Sequence, residues 1–332
     1  MQLQVKKVLK FNYKIVGSVP LILAFFGLVG LAACSSKKGC IDPGSISYDP
    51  NAKIDNGSCQ YPDFTIKPSP YRRLEEKFDE ISGIQYTDKR IWSITDVPGD
   101  NKVYSLNLIS GDAKEQIKLD GTDAVNYEDI ACSNEHFYIG DFGNNDGNRT
   151  DLCIYRIARP KDVLPSNVSF PDKISFYYPE QTDFRKNPSN NYDAEAMFYY
   201  AGKIFIFTKN RGDLKTALYE IPDQPGLHAA KLRGIFDTKG LITGADINED
   251  GNKIVLCGIN PVSNMTFLWI IKDFQDSKFF TGKKFRVDIG PVTEVGQIES
   301  VSFYDDNYVF LANEKYKSVK PTLYLLEIES VK

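Results

Sequence analysis

The chain has 332 residues, a formal net charge of −4 and an aromatic content of 13%. Acidic residues outnumber basic ones and no basic block stands out, so we expect no binding to nucleic acid. The only histidines are His136 and His228, which argues against histidine-based catalysis and against a multi-histidine metal site.

Residues 1–33 have the layout of an export signal, with four lysines and no acidic residue in the first 14 positions and an almost wholly apolar stretch behind them. The final Leu31-Ala32-Ala33-Cys34 resembles the lipobox of bacterial lipoproteins. The resemblance implies cleavage before Cys34 and lipid attachment to this cysteine, which would leave a mature chain of net charge −8. An uncleaved transmembrane anchor is the alternative.

Residues 34–62 are expected to form a tether and a small module closed by a disulfide. The sequence after the lipobox is Ser35-Ser36, without the aspartate that favours inner-membrane retention, so we expect an outer-membrane lipoprotein on the periplasmic face or the cell surface. Between Cys40 and Cys59 the chain is rich in turn-forming residues and poor in apolar ones, and a Cys40–Cys59 disulfide is the natural staple. The stretch also resembles a short module of secreted and surface proteins of Bacteroidetes. Its aspartates are either calcium ligands or solvated turn residues: Asp42, Asp49 and Asp55.

The other three cysteines lie in apolar, strand-like runs. Cys132, Cys153 and Cys257 have no metal-binding spacing, so we expect three free, mostly buried thiols.

Residues 63–332 show an internal repeat. Five stretches share a carboxylate, a short strand, a tight turn and a stronger apolar strand, with acidic landmarks at Glu80, Glu128, Glu195, Asp246 and Glu299. A polar insertion from about 181 to 191 accounts for the longest spacing. Each repeat then supplies two further strands, which are Val103–Leu108 and Gln116–Leu119, Leu152–Ile157 and Ile174–Tyr178, Ala217–Ile221 and Lys231–Phe236, Phe267–Ile271 and Lys284–Ile289, and finally Leu323–Ile328 alone.

Four short antiparallel strands per repeat are typical of a β-propeller blade, so we predict an all-β propeller of five four-stranded blades. A sixth blade in the insertion is the alternative. The last repeat lacks a strand, and we expect either Asp63–Lys67 or Arg72–Phe78 to close the ring.

The motifs Glu80-Ile-Ser-Gly-Ile, Trp92-Ser-Ile-Thr-Asp96, Tyr138-Ile-Gly-Asp-Phe-Gly-Asn-Asn145 and Asp193-Ala-Glu-Ala-Met197 resemble those of secreted bacterial propellers related to esterase-like and phytase-like proteins. The resemblance covers about 260 residues and implies the fold. It implies little about function, because propellers host unrelated activities.

The repeat places the acidic landmarks at one channel mouth. Each opens an innermost strand, and the next strand returns to the same face, so we expect the ring to include Asp96, Asp129, Asp141, Asp193, Lys209 and Glu314. Crowded carboxylates repel one another unless a cation neutralises them, and Ca²⁺ suits oxygen ligands. The alternative is that each carboxylate caps backbone N–H groups between blades.

The loop from Asp141 to Asn148 is a weaker calcium candidate through Asp141, Asn145 and Asp146. Its Asn, Asp and Gly residues are turn formers first, and it lacks the spacing of an EF-hand. The basic residues near the same face are expected to hold an anionic group or to pair with the ring: Arg149, Lys209 and Arg211.

No nucleophile elbow, metalloprotease motif or phosphate loop is present, and no catalytic residue is assigned. The sequence favours a membrane-anchored binding or scaffold propeller, with a cell-envelope protein or glycan as partner. The alternative is a Ca²⁺-dependent hydrolase that acts on phosphate esters or glycans.

Overall fold

The computed structural model describes residues 36–160 and 167–331. The predicted signal sequence and Cys34 lie outside these residues. Lys37–Lys332 form one compact unit. Within the described residues, no helix is long and apolar enough to span a membrane.

The chain enters through four short strands. They are β1 (Lys38–Gly39), β2 (Ile54–Asp55), β3 (Asp63–Thr65) and β4 (Ser69–Arg73). The first two pair in parallel beside the predicted disulfide Cys40–Cys59, which is confirmed. A 3₁₀-helix follows at Glu76–Phe78.

The module packs on the propeller through a buried ion pair. Asp42 lies 2.8 Å from Lys284, whose side chain is fully buried, and it also accepts a hydrogen bond from Tyr61. Asp49 pairs with Lys37, and Asp55 accepts the N–H of Gly57. The three candidate calcium ligands of the module therefore have separate partners.

The first blade is an antiparallel sheet that starts at the channel. Its strands are β5 (Ile81–Thr87), β6 (Arg90–Thr95), β7 (Lys102–Leu106) and β8 (Ala113–Leu119).

The second blade repeats this plan. Its strands are β9 (Tyr127–Cys132), β10 (His136–Asp141), β11 (Cys153–Ala158) and β13 (Asp172–Tyr177), while β12 (Asn167–Ser169) adds in parallel to the outer edge of the first blade.

The third blade has no added strand at its outer edge. Its strands are β14 (Ala194–Tyr200), β15 (Lys203–Thr208), β16 (Thr216–Pro222) and β18 (Lys231–Phe236), while β17 (Gly226–Ala229) adds in parallel to the second blade.

The fourth blade takes its fifth strand from the chain entry. Its strands are β19 (Leu241–Ile247), β20 (Lys253–Asn260), β21 (Met265–Lys272) and β22 (Lys283–Pro291), with β3 parallel to β22. A 3₁₀-helix at Phe279–Thr281 precedes β22, and a single helical turn at Val292–Val295 follows it.

The fifth blade closes the ring. Its strands are β23 (Gln297–Phe303), β24 (Tyr308–Glu314) and β25 (Thr322–Glu327), and β4 is its fourth strand, antiparallel to β25. The predicted five-bladed propeller is confirmed. The closing strand Ser69–Arg73 begins before the second expected segment and shares only Arg72 and Arg73 with it, while Asp63–Thr65 of the first segment pairs with the fourth blade. The insertion at 181–191 contains no strand and forms no sixth blade.

The hydrophobic core is divided among the blade interfaces. Five buried clusters each join residues of two neighbouring blades; Trp92 and Phe137, for example, pack between the first two with ring centres 5.1 Å apart. The three free thiols are confirmed, with Cys132 and Cys153 on the first and third strands of one blade. No blade has a core of its own, so ring closure and stability are coupled.

Candidate functional site

Each innermost strand begins with a β-bulge at the same channel mouth. The pairing register shifts by one residue between the first and second strands of every blade. The bulged residues are Ser82–Gly83, Glu128, Glu195, Thr243 and Glu299. A bulge re-aims a side chain, and here it turns three glutamates into one mouth, which we call the charged mouth.

Asp246 does not belong to this ring, so its predicted place at the charged mouth was wrong. It lies three residues beyond Thr243 on β19 and reaches the opposite end of the channel. Its carboxylate accepts hydrogen bonds from Phe303 N at 2.8 Å and Ser302 Oγ at 2.9 Å. Burial raises the pKa of Asp246 to about 6. Aligning the polar-small pairs Ser82-Gly83 and Thr243-Gly244 would have revealed the equivalent position.

Asp129 also has an inter-blade role. It follows the bulge at Glu128 and accepts the N–H of Met197 at 2.7 Å, which ties the second blade to the third. The predicted alternative of inter-blade capping therefore describes Asp129 and Asp246, and it does not describe the glutamates of the bulges.

Two basic side chains lie among the carboxylates of the charged mouth. Lys209 Nζ is 3.1 Å from Glu195 Oε2. Arg211 reaches Asp193 at 2.8 Å and Glu195 at 3.4 Å, and it also donates to Asn145. Burial alone would lower the pKa of Lys209, but the charges of Glu195 and Glu299 raise it above its ordinary value. Lys209 is therefore a buried counter-ion to these glutamates.

The carboxylates nevertheless exceed these two cations. Seven acidic side chains act on one another at this mouth: Glu80, Asp96, Glu128, Asp193, Glu195, Glu299 and Glu314. Burial raises the pKa of Glu128 well above its usual range, with Glu195 and Asp96 adding to the effect. Burial also raises the pKa of Asp193 to about 7 and shifts that of Glu299 upward.

The rim of the charged mouth carries the least compensated groups. Burial, with the charges of Glu299 and Glu80, raises the pKa of Glu314 to about 9. Burial, with Glu195 and Glu299, raises that of Asp96 to about 7. Asp96 Oδ1 is buried without a hydrogen-bond partner. Glu80 is exposed, and its backbone carbonyl accepts the N–H of Asp96.

The Asp141–Asn148 loop divides its polar groups among separate partners. Asp141 accepts from Val125 N and Asn126 N and pairs with Arg149 at 3.0 Å. Asn145 accepts a hydrogen bond from Arg211, and Asp146 pairs with Lys186 at 2.7 Å. Calcium binding in this loop stays a prediction, but the three candidate oxygens do not converge.

Among residues 36–160 and 167–331, no three or more His, Cys, Asp or Glu side chains are grouped closely enough to hold a metal ion. Lys209 and Arg211 stand between the carboxylates of the mouth and pair with them. A cation would therefore need the rim carboxylates to reorient around it.

The opposite mouth contains a cavity of about 650 Å³, which the sequence analysis missed. It is lined by the ends of the innermost strands and the hairpin turns that follow them, including Tyr86, Tyr199, Tyr200, Tyr304 and Asp246. Three of the five innermost strands have a tyrosine within one residue of their end, namely Tyr86, Tyr200 and Tyr304, and that recurrence is a signal in the sequence. We call this cavity the aromatic mouth.

Comparisons with known proteins add little. No family model and no curated protein matches the chain. A Bacteroides uniformis protein for which 6-phosphogluconolactonase activity is proposed is similar in structure, with 10% identity and a TM-score of 0.37 over 75% of this chain and 68% of that one. Hydrazine synthase of Kuenenia stuttgartiensis is 10% identical, with a TM-score of 0.39 over 80% of this chain and 65% of that one. The Dos1 propeller is 12% identical, with a TM-score of 0.34 over 76% of this chain and 59% of that one. At these values no function transfers, and the propeller assignment rests on the strand pairing.

Proposed function

We propose that this protein is a lipid-anchored binding propeller of the outer membrane whose charged mouth takes up Ca²⁺. The observation that carries the proposal is the charge imbalance at this mouth, where seven carboxylates of the described residues outnumber the cations Lys209 and Arg211 among them and Lys315 beside Glu80. A partner of the cell envelope, protein or glycan, would then bind over the loaded mouth.

The electrostatics favour a divalent cation over protons alone. Without a cation, Asp96 and Glu314 are driven toward their neutral forms, because ionisation would add charge to a mouth that is already negative. Ca²⁺ accepts six to eight oxygen ligands in flexible geometry, which suits carboxylates that lie at a half-open rim. Asp96 Oδ1 supplies an acceptor that no group of the described residues satisfies.

We expect the affinity to be modest. The rim carboxylates must move together before they coordinate an ion, and Lys209 repels it. The dissociation constant should therefore resemble that of extracellular calcium modules, on the order of 10⁻⁴ to 10⁻³ M.

Thermal melts with Ca²⁺ and with EGTA test the proposal. Ligand that binds only the folded protein stabilises it by about 2.7 kcal/mol at a hundredfold excess over Kd, so the wild type should melt several degrees higher in Ca²⁺. The double variant D96N/E314Q should lose this difference. The matched control D123N/E180Q removes two exposed carboxylates elsewhere and should keep it. Identical wild-type melts would defeat the proposal.

The anchor is tested separately, since Cys34 lies outside the described residues. Wild-type protein should fractionate with membranes and carry lipid on Cys34, whereas Cys34→Ser should not. Mass spectrometry that finds an intact N-terminus at Met1 would overturn this part.

Hydrolysis is the second candidate, and one observation favours it. Glu314, whose pKa is raised to about 9, would be a proton donor near a second carboxylate, Glu195, which pairs with Lys209 at 3.1 Å, and two-carboxylate glycan hydrolysis uses such a combination. Phosphate esters fit less well, because Lys209 and Arg211 are already paired. Release of reducing sugar from envelope glycans by wild type, and its loss in Glu314→Gln, would replace the binding proposal with this one.

A further inference from the structure

The aromatic mouth is a second concave site at the other end of the channel. Its volume of about 650 Å³ lies in the range of small-molecule sites. Gln85 and Asn248 are buried at its inner end, with exposed fractions of 7% and 4%. A cavity of this size, closed on one side by buried groups, has room for a small organic ligand.

Tyrosine rings form much of its wall. Tyr86 and Tyr304 pack together with ring centres 5.1 Å apart, and Tyr304 is 45% exposed. On the other side Tyr199 stacks on Tyr138 at 5.3 Å, which fixes the orientation of its ring. The rings are thus held by packing, so binding would order few further side chains.

The charged side chains that line the aromatic mouth are negative with one exception, although Lys253 just outside the lining donates to the carbonyl of Asp306. Exposed carboxylates come from three hairpin turns: Asp88, Glu249, Asp250, Asp305 and Asp306. Arg159 is the one basic residue in the described lining. It is already engaged, with Asp88 at 3.4 Å and the carbonyl of Ser133 at 3.0 Å. An anionic ligand would meet this negative rim without a free counter-charge.

Exposed tyrosine faces and carboxylates together recognise organic cations. A cation over an aromatic face is attracted by the ring quadrupole, by about 0.5–2 kcal/mol according to its desolvation. Nearby carboxylates add long-range attraction and accept the N–H groups. We propose that the aromatic mouth binds small alkylammonium compounds, independently of Ca²⁺ at the charged mouth.

Isothermal titration with spermidine, tetramethylammonium and glucose tests the proposal on the full-length protein. We expect spermidine and tetramethylammonium to bind and glucose not to bind. Tyr304→Ala should weaken tetramethylammonium binding about fivefold, while Tyr304→Phe keeps the ring and should retain it. The double variant E249Q/D250N should weaken spermidine binding more than tetramethylammonium binding, because spermidine uses more of the carboxylates.

Two controls separate this site from the other mouth and from bulk charge. D96N/E314Q and D123N/E180Q should both bind spermidine as the wild type does. Binding of glucose instead of the two organic cations would identify a saccharide site and overturn the proposal. Equal spermidine binding by every variant, or no binding by the wild type, would also overturn it.

Discussion

The two mouths of the channel are built from opposite ends of the same five innermost strands, yet they handle charge differently. At the charged mouth the bulged glutamates are buried, and one of them, Glu195, pairs with both Lys209 and Arg211. At the aromatic mouth the carboxylates lie on exposed turns beside tyrosine rings. The innermost strands therefore begin in a buried ion network on which the fold depends, whereas the exposed turns at their other ends can vary without disturbing the fold.

The largest expected effect comes from removing the buried cation. Lys209→Met leaves Glu195 and its neighbours as uncompensated buried charges, and we expect a loss of about 3–5 kcal/mol in the free energy of unfolding. At the aromatic mouth Arg159→Met breaks a partly exposed pair with Asp88 and should cost about 1 kcal/mol or less. Urea denaturation measures both. Equal losses of unfolding free energy in the two variants would contradict the proposed difference between the mouths.

An intermediate effect is expected at Asp246. Its carboxylate accepts Phe303 N and Ser302 Oγ between two blades, and Asp246→Ala leaves these buried donors unpaired. We expect a loss of about 1–3 kcal/mol that does not depend on Ca²⁺. Denaturation curves in Ca²⁺ and in EGTA check both parts. If the loss in the free energy of unfolding depended on Ca²⁺, Asp246 would have to be counted among the metal ligands, contrary to its position at the opposite mouth.

The smallest expected effect is the pH dependence of the charged mouth. The pKa values of Asp96 and Glu314 are raised to about 7 and about 9, from 3.8 and 4.5. The folded protein therefore holds protons that the unfolded chain releases, and their stabilisation is lost as the pH rises through the folded pKa values.

In EGTA the melting temperature should fall by a few degrees between pH 6 and pH 9. Glu314→Gln cannot ionise and should flatten the upper part of this fall, while E249Q/D250N at the aromatic mouth should leave it unchanged. A melting temperature that rises with pH over this range would show that the rim carboxylates are stabilised as anions.

The fold could be predicted from the sequence because apolar strand segments recur in the same order in each repeat. Strand Lys231–Phe236 matches its predicted bounds, and the five blades follow from the spacing of the landmarks. The site was predicted only in part. The glutamates at 128, 195 and 299 converge as expected, but the bulged residue of the fourth blade is Thr243 and not Asp246. The sequence did not reveal this position, because a register shift leaves no mark in the alternation of apolar residues.

The aromatic mouth was missed for a different reason. Its turn residues, such as Asp305 and Asp306, are also the ordinary formers of tight turns. Its tyrosines, such as Tyr86, alternate with core residues along their strands. Only ring closure brings these residues from separate blades together, and composition does not reveal which tyrosines will face the cavity.

The central claim is that excess negative charge at the charged mouth is relieved by protons or by Ca²⁺, in competition. Calcium titration calorimetry at pH 7 in two buffers of different ionisation enthalpy measures that exchange. We expect release of roughly one proton per bound ion from the wild type and none from D96N/E314Q. Calcium binding without proton release, or no binding at all, would contradict it.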